Sequence, residues 1–309
     1  MVGAQNIHAG RKAGKKMKKN RYAYYPGCSL HATAAEYDRS LTAVCRRMDI
    51  ELVEIEKWVC CGSTAAHTKS RLLAEALPMA SLARMEAMGI EEVIVPCPEC
   101  FSKLKTAQHH VARDRKTRKS VADIIQTQCY EEARIYHPLK IFSEDPLLSQ
   151  IPSLVTQDLS GLKIACYYGC LITRPPEIAG FDNCEAPESM DRVLKAAGLR
   201  TVDWNHKTRC CGSSFAVSKP EIVKDLSGQV LDDARSAGAD AIAVGCPVCH
   251  VNLDTRQPEG FDMPVFYFSQ LMGASFGMSP TDLLLHRHYT EANTWLERFL
   301  QSGYITHLQ

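Results

Sequence analysis

One ordered pattern of cysteines occurs twice along the 309-residue chain, and it constrains the fold more than any other feature. In each half a Tyr-x-Gly-Cys run is followed by Cys-Cys-Gly-Ser and then by Cys-x-x-Cys. The first copy consists of Cys28, Cys60, Cys61, Cys97 and Cys100, and the second of Cys170, Cys210, Cys211, Cys246 and Cys249. The first gap holds 31 residues in one copy and 39 in the other, and the second gap holds 35 and 34. The chain is therefore an internal duplication whose copies differ in loop length.

Short apolar runs precede the cysteine groups and predict buried parallel strands at 93–95, 164–165 and 242–244. Amphipathic stretches predict helices at about 33–48, 70–88, 188–198 and 220–237. This alternation predicts an α/β fold of two pseudo-symmetric repeats, each a small parallel sheet with flanking helices. We expect the cysteine clusters at the strand carboxyl ends, where α/β sheets place their ligand sites.

The domain organisation follows from the two copies and from the composition of the segments around them. We predict a basic disordered arm at 1–20, a first cysteine-rich domain at 21–125, a linker at 126–160, a second cysteine-rich domain at 161–285 and a C-terminal helix at 286–309. The arm is interpreted as a solvated tail or as sequence before a start at Met17.

The composition excludes several classes of protein. The chain has 14 cysteines but no secretory signal, and a chain of this length needs no disulfides to fold, so we expect a reducing, cytoplasmic location. A formal charge of +1 gives no indication of a nucleic-acid-binding surface. Since no apolar run approaches the roughly 18 residues that span a bilayer, we expect no transmembrane segment.

The cysteine pattern predicts a metal or cluster site in each half. A Cys-x-x-Cys pair with a vicinal pair serves either tetrahedral zinc or an iron–sulfur cluster, and glycine after the vicinal pair allows a tight turn. Five thiolates exceed the four that either centre needs, so one cysteine is idle or bridging, or the cluster is not a standard cubane. The sequence has no GxGxxG or P-loop motif, which indicates that electrons arrive from a partner.

The duplicated pattern resembles the CCG domains of the disulfide-cleaving B component of heterodisulfide reductase, from about Tyr22 to Met278. The resemblance implies that each copy binds a noncubane [4Fe–4S] cluster through its five cysteines and that a substrate disulfide is cleaved between the two clusters. It also implies two partners, the ferredoxin-like C component and the flavin-containing A component. The substrate would be a disulfide, a thiol, or sulfur carried on a lipoyl protein.

Two other functions remain open on the same motifs. Similar CCG domains occur in iron–sulfur subunits of glycolate and lactate oxidation and in thiol-linked fumarate reductases, which makes an electron-relay subunit the second hypothesis. The glycolate and fumarate types usually carry an additional CxxCxxC segment, which this chain lacks. The third hypothesis is a structural module with zinc in each half.

Several reactive residues lie outside the repeated motif and are expected to have ordinary roles. We interpret Cys166 and Cys45 as small buried apolar residues, treat Cys184 in the same way, and find no motif around Cys129. His31, His67 and His250 lie near the motifs but are predicted at ordinary surface or helix positions. Met79, Met85 and Met88 are predicted to pack, and Arg174 and Arg209 to be solvated.

Overall fold

The computed structural model describes residues 20–63 and 66–305, with side chains up to residue 300. The predicted basic arm lies outside these residues except for Asn20, which begins the first strand. No helix in the described part of the chain has the length and apolarity needed to cross a bilayer.

The first repeat forms a four-stranded, all-parallel sheet in the order β2-β1-β3-β4. Its strands are β1 (Asn20–Tyr24), β2 (Ile50–Glu54), β3 (Glu92–Ile94) and β4 (Arg134–Tyr136). The chain passes from β1 to one neighbour and then crosses to the other side, so the two connections diverge between β1 and β3. This divergence leaves a crevice at the strand carboxyl ends, where α/β proteins bind ligands.

The second repeat forms a separate parallel sheet with the equivalent order β6-β5-β7-β8. Its strands are β5 (Lys163–Tyr167), β6 (Arg200–Thr201), β7 (Ala241–Val244) and β8 (Val265–Tyr267). All of β7 and β8 is buried, as expected for parallel strands covered on both faces. The predicted α/β fold of two pseudo-symmetric repeats is therefore confirmed.

Helices cover the faces of both sheets. In the first repeat they are α1 (Gly27–Leu30), α2 (Ala35–Arg47), α3 (Ala66–Lys69), α4 (Arg71–Ala87), α5 (Pro98–Arg113), α6 (Arg115–Ile125), α7 (Pro138–Phe142) and α8 (Leu147–Leu154). In the second they are α9 (Pro176–Ala179), α10 (Ser189–Ala196), α11 (Pro220–Ser236), α12 (Pro247–Thr255), α13 (Phe268–Ser275) and α14 (Ala292–Ile305). The four helices predicted from periodicity are α2, α4, α10 and α11, with ends within about two residues of the prediction.

The segment 126–160 was predicted as a linker, and the structure corrects this prediction. It contains β4, which completes the first sheet by pairing Ile135 with Val93, and it contains α7 and α8. A strand of three residues is too short to show an alternating pattern in the sequence. Ile135 is nonetheless only 3% exposed, so this segment belongs to the first repeat's core.

The two repeats pack against each other through two equivalent pairs of helices, so the interface has pseudo-two-fold symmetry. Helix α13 of the second repeat packs on α2 of the first, and α7 of the first packs on α10 of the second. Tyr37 of α2 stacks on Tyr267 with ring centroids 4.3 Å apart and planes 5° from parallel. Beside this stack the hydroxyls of Ser40 and Ser269 are 2.7 Å apart. The interface is continuous with a hydrophobic core that contains residues of both repeats, so the two sheets pack as parts of one core.

Candidate metal centres

The first group of cysteines lies at the carboxyl ends of three adjacent strands. Cys28 is in α1, directly after β1, and Cys97 and Cys100 begin α5, after β3. Cys60 and Cys61 lie in the loop after β2. Because β1, β2 and β3 are parallel neighbours, these loops leave the same edge of the sheet. The prediction that the cysteines follow strand carboxyl ends is confirmed for this repeat.

The second group repeats this placement on the other sheet. Cys170 follows β5, the pair Cys210 and Cys211 follows β6, and the pair Cys246 and Cys249 begins α12, after β7. Each group of five thiols thus gathers at one crevice.

The thiols within each group are close neighbours. The Sγ atoms of Cys61 and Cys100 are 3.4 Å apart, and those of their equivalents Cys211 and Cys249 are 3.5 Å apart. All of these cysteines are free thiols. A separation of 3.4–3.5 Å is well beyond a covalent S–S bond of about 2.05 Å and brings two sulfur ligands within reach of one metal centre.

Each group is buried on one side and open on the other. In the first group Cys61, Cys97 and Cys100 are almost fully buried, whereas Cys28 and Cys60 are exposed. In the second group Cys210 is exposed and Cys170 is half-buried. A centre held by either group would therefore be anchored against the protein core while remaining accessible to a substrate or partner from one side.

Glycine before the first cysteine of each group is required by close packing. Gly27 has a left-handed backbone with φ of +70°, and a Cβ there would lie 2.9 Å from the Sγ of Cys100. Its equivalent, Gly169, has φ of +67°, and a Cβ would lie 3.2 Å from the Sγ of Cys249. Any larger residue would push against a sulfur atom, so these glycines make room for the thiols to converge.

The Cys-Cys-Gly turn also places backbone donors beside sulfur. The amide N–H of Gly62 donates to the Sγ of Cys60 at 3.5 Å, and that of Gly212 donates to the Sγ of Cys210 at 3.3 Å. A hydrogen bond from the Cys170 thiol is the main cause that lowers the pKa of Cys210 to about 6. The same hydrogen bond is the main cause that raises the pKa of Cys170, so in the metal-free pair Cys210 ionises before Cys170.

Two buried tyrosines anchor the vicinal-cysteine loops, and the sequence reasoning missed them. The hydroxyl of Tyr25 donates to the carbonyl of Val59, the residue before Cys60, at 2.6 Å. The hydroxyl of Tyr167 donates to the carbonyl of Arg209, which precedes Cys210, at 2.5 Å. The available signal was a tyrosine three residues before the first cysteine in both copies.

One polar contact to sulfur in the second group has no equivalent among the residues that the structure describes in the first. The side-chain amide of Asn252 lies 3.4 Å from both the Sγ and the carbonyl oxygen of Cys211. The equivalent position, three residues after the last cysteine of the first group, is Lys103. In the first group the hydroxyl of Ser63 donates to the carboxylate of Glu99 at 2.9 Å. The two groups are therefore similar but not identical.

Most of the residues outside the motif lie in ordinary packing or surface positions. Cys45 and Cys166 are buried in the core, while Cys129 and Cys184 are half-buried. Met79 and Met85 are fully buried and Met88 packs against the core. His67 is exposed and His31 pairs with Glu54 at 3.2 Å, while Arg174 contacts Glu185 and Thr208, and Arg209 contacts Gln229.

His250 is buried and belongs to a second polar cluster behind the second cysteine group. Its Nε2 lies 3.0 Å from the carbonyl oxygen of Val265 and 3.3 Å from Nδ1 of His288. Asp254 completes the cluster, but its carboxylate accepts hydrogen bonds from the amides of Tyr289 and Thr290 and from the Thr290 hydroxyl. These bonds satisfy the carboxylate, so we interpret the cluster as a connection between α12 and the C-terminal segment.

The donor set fits an iron–sulfur cluster in each half. Thiolates are soft ligands that select zinc or iron–sulfur clusters over hard cations. Each half supplies five thiols at one crevice, one more than a closed four-coordinate zinc site uses. The absence of a side chain at Gly27 and Gly169 leaves room for the sulfur atoms. Backbone amides also donate hydrogen bonds to sulfur, as is common around metal-bound thiolates.

Comparison with known proteins identifies the family. The family model described as "CCG: Cysteine-rich domain" matches residues 22–105 and 164–254, which together make up more than half of the chain. The chain therefore belongs to the CCG cysteine-rich domain family, with the domain present twice.

The relatives span nearly the whole chain. The 8-methylmenaquinol:fumarate reductase membrane anchor subunit of Wolinella succinogenes is 26% identical over 282 residues, which cover 89% of this chain and 98% of the relative. The B component of the ferredoxin:CoB-CoM heterodisulfide reductase of Methanosarcina mazei is 24% identical, covering 91% and 98%. The B component of the ferredoxin/F(420)H(2)-dependent CoB-CoM heterodisulfide reductase of Methanosarcina acetivorans is 24% identical, covering 85% and 91%.

A solved structure shares the fold. A hypothetical protein from Helicobacter pylori aligns with a TM-score of 0.65 at 12% identity, and the match covers 88% of this chain but only 52% of that one. Taken together, the family and the curated relatives support an iron–sulfur redox subunit that works in a multisubunit complex.

Proposed function

We propose that this chain is the catalytic B component of a heterodisulfide-reductase-like complex, which cleaves a disulfide reductively or forms one in reverse. Each cysteine group would hold one [4Fe–4S] cluster of the noncubane type: Cys28, Cys60, Cys61, Cys97 and Cys100 the first, and Cys170, Cys210, Cys211, Cys246 and Cys249 the second. A ferredoxin-like C component and a flavin-containing A component would supply the electrons.

The observation that carries this proposal is that the two groups share one interface. The loops that begin with Cys97 and Cys246 approach the same buried side chain, His137, through their neighbouring carbonyls. Burial is the main cause that raises the pKa of both hydroxyls of the Tyr37–Tyr267 stack, and Cys97 and Cys246 add to it, so one cysteine from each repeat lies near this stack. Two centres on either side of one histidine would suit a substrate with two sulfur atoms, one for each centre.

The overall reaction fixes what the chain has to provide. Cleavage of R–S–S–R′ takes two electrons and two protons and gives RSH and R′SH. When bound, the clusters would supply the electrons and capture the two sulfur atoms. The chain's own residues hold the centres at a fixed spacing, bury the inner thiols against the core and leave Cys28, Cys60 and Cys210 toward the solvent. They therefore set the positions of the two centres and leave one side of each open to the substrate and to the solvent that would supply the two protons.

The first experiment is metal analysis of the anaerobically purified chain. Two four-iron clusters predict about eight irons and eight acid-labile sulfides per chain, with little zinc. Electron paramagnetic resonance spectra are then recorded with the CoB–CoM heterodisulfide or with oxidised lipoamide as probes. A disulfide reductase predicts that a probe changes the cluster spectrum directly. About two zinc ions per chain without sulfide would refute the cluster proposal and support the structural zinc module.

A second candidate function is favoured by the match to the Wolinella succinogenes subunit, which is named for quinol:fumarate reduction. In that case, or in a glycolate or lactate oxidase complex, the clusters would only relay electrons. The relay predicts full iron and sulfide content but spectra that do not respond to any thiol or disulfide probe. The same experiment thus separates an enzyme subunit from a relay subunit.

A further inference from the structure

His137 is a completely buried side chain at the junction of the two repeats. It directly follows β4 and precedes α7, and it has no exposed surface. Its Nε2 lies 2.9 Å from the carbonyl oxygen of Pro96 and 3.2 Å from that of Gly245. These two carbonyls belong to the residues directly before Cys97 and Cys246. One ring nitrogen therefore contacts one cysteine loop from each repeat.

The protonation state of this ring is fixed by its partners. Both carbonyl oxygens only accept hydrogen bonds, so Nε2 carries the proton and donates to both in a shared bond. On the other side of the ring, Nδ1 accepts from the amide of Leu139 at 3.3 Å. The ring is consequently neutral in one tautomer, and its surroundings, Phe101, Phe181 and Phe268, offer no charge.

The second loop is built for close approach to this ring. A Cβ on Gly245 would lie 3.1 Å from Cε1 of His137 and 3.5 Å from its Nε2. Contacts of 3.1 Å are shorter than ordinary van der Waals contact, so any side chain there would displace the ring. The equivalent residue in the first repeat is Pro96, and the residue equivalent to His137 in the second is Tyr267, which stands at the N-cap of α13 as His137 stands at the N-cap of α7. The histidine bridge is therefore single and asymmetric.

We propose that His137 is a positioning residue that fixes both Cys-x-x-Cys loops with one hydrogen donor, so that a displacement of either loop is transmitted to the other. The consequence for catalysis rests on the proposed function, because a fixed separation of the two loops sets the separation of the two cluster sites. The mechanical coupling itself concerns only this chain's residues and is tested without reference to activity.

The test is hydrogen–deuterium exchange, read by mass spectrometry, on the purified full-length chain and its variants. His137→Phe keeps an aromatic ring at this position, as Tyr267 does in the second repeat, but removes the donor. We expect amides in both 97–101 and 246–250 to exchange about tenfold faster, the change in an opening equilibrium that loss of one typical buried hydrogen bond produces. His137→Gln, which retains an N–H donor, is expected to restore much of the protection.

A matched control separates coupling from general loosening. Phe142→Leu alters the same helix, α7, at a fully buried position with no hydrogen bond to either loop. It should leave exchange in both loops unchanged. If His137→Phe also accelerates exchange in β5 or α4 by a similar factor, the effect is global and the proposal is overturned. It is equally overturned if only one of the two loops responds.

Gly245→Ala tests transmission directly, because it changes only the second repeat. The new methyl group should displace His137 and accelerate exchange at 97–101, in the other repeat, several-fold. In a His137→Ala background the ring is gone, so the same substitution should leave 97–101 unaffected. An unchanged first loop in the Gly245→Ala variant would refute the coupling, whether or not the chain proves to hold iron.

The cluster-loaded chain gives an independent readout. Paramagnetic resonance signals of both clusters should shift together in His137→Phe and return toward those of the unaltered chain in His137→Gln. A shift of one signal alone contradicts the proposal. An absence of iron and acid-labile sulfide from the unaltered chain contradicts the proposed function instead, and the exchange experiment still decides the coupling.

Discussion

Replacing Tyr267 by phenylalanine should stabilise the metal-free, reduced chain. The Tyr267 ring is fully buried and its hydroxyl has no hydrogen-bond partner among the described residues. Burial is the main cause that raises the pKa of this hydroxyl, so it remains protonated and its donor is unused. A buried hydroxyl without a partner costs about 1–3 kcal/mol relative to solvent. The phenylalanine keeps the stack on Tyr37 and removes that cost.

We expect the free energy of unfolding to increase by about 1–2 kcal/mol, because some relaxation around the hydroxyl reduces the full cost. For a chain of this size that corresponds to a melting temperature higher by about 2–4 °C. The measurement is differential scanning calorimetry of the two proteins under identical reducing, chelating conditions. The phenylalanine variant should also keep the near-ultraviolet dichroism expected for one tyrosine fewer.

Two other tyrosines serve as matched controls. Tyr37→Phe removes the stacked partner's hydroxyl, which donates to the Pro96 carbonyl only at 3.5 Å, so stability should change by less than about 0.5 kcal/mol. Tyr168→Phe removes a hydroxyl that donates to Asp191 at 2.8 Å and should cost about 1–2 kcal/mol. If Tyr267→Phe lowers the melting temperature as Tyr168→Phe does, the hydroxyl has a partner and our reasoning about it is refuted.

Three further predictions address the cysteine sites. Tyr25→Phe and Tyr167→Phe should each cost about 1 kcal/mol in thermal unfolding and each perturb only the cluster signal of its own repeat, because each hydroxyl anchors one vicinal-cysteine loop. Cys61→Ser should remove about half of the bound iron, whereas Cys45→Ser should remove none; equal iron content in both would contradict the ligand assignment. Burial lowers the pKa of His137 to about 4, so the unfolded chain binds more protons between pH 6.5 and pH 4 and stability falls as the pH drops through that range. The total loss from this group is about 3 kcal/mol, and a His137→Gln variant in acid-unfolding titrations should show a correspondingly weaker pH dependence.

Elements with their own periodic signal were predictable from the sequence. The helices α4 and α11 carry apolar residues at helical spacing over several turns, and the strands before Cys97 and Cys246 are short runs of β-branched residues. Cysteine spacing then indicated which loops converge, because parallel strands end at one edge of a sheet. Local patterns and a duplication were sufficient for this part of the fold.

Contacts between distant segments were not predictable in the same way. His137 lies in a stretch that was interpreted as a linker, and one of its partners, Gly245, is 108 residues further along the chain. Nothing in the local sequence of either residue indicates the other. Tyr25 and Tyr167 could have been found, since both precede a first cysteine by three residues, but the pattern does not reveal that their hydroxyls reach the next loop.

The duplication produced two sites that differ in how well they stabilise negative charge on sulfur. In the metal-free chain, burial is the main cause that raises the pKa of Cys60, whereas a hydrogen bond from the thiol of Cys170, itself a proposed ligand, lowers the pKa of the equivalent Cys210 to about 6. The second repeat also places the Asn252 amide beside the Sγ of Cys211, with Lys103 at the equivalent position in the first. Hydrogen bonds to cluster sulfur and solvent exposure are among the factors that set reduction potentials. In the proposed function, two clusters in unequal electrostatic surroundings would treat the two sulfur atoms of one substrate differently.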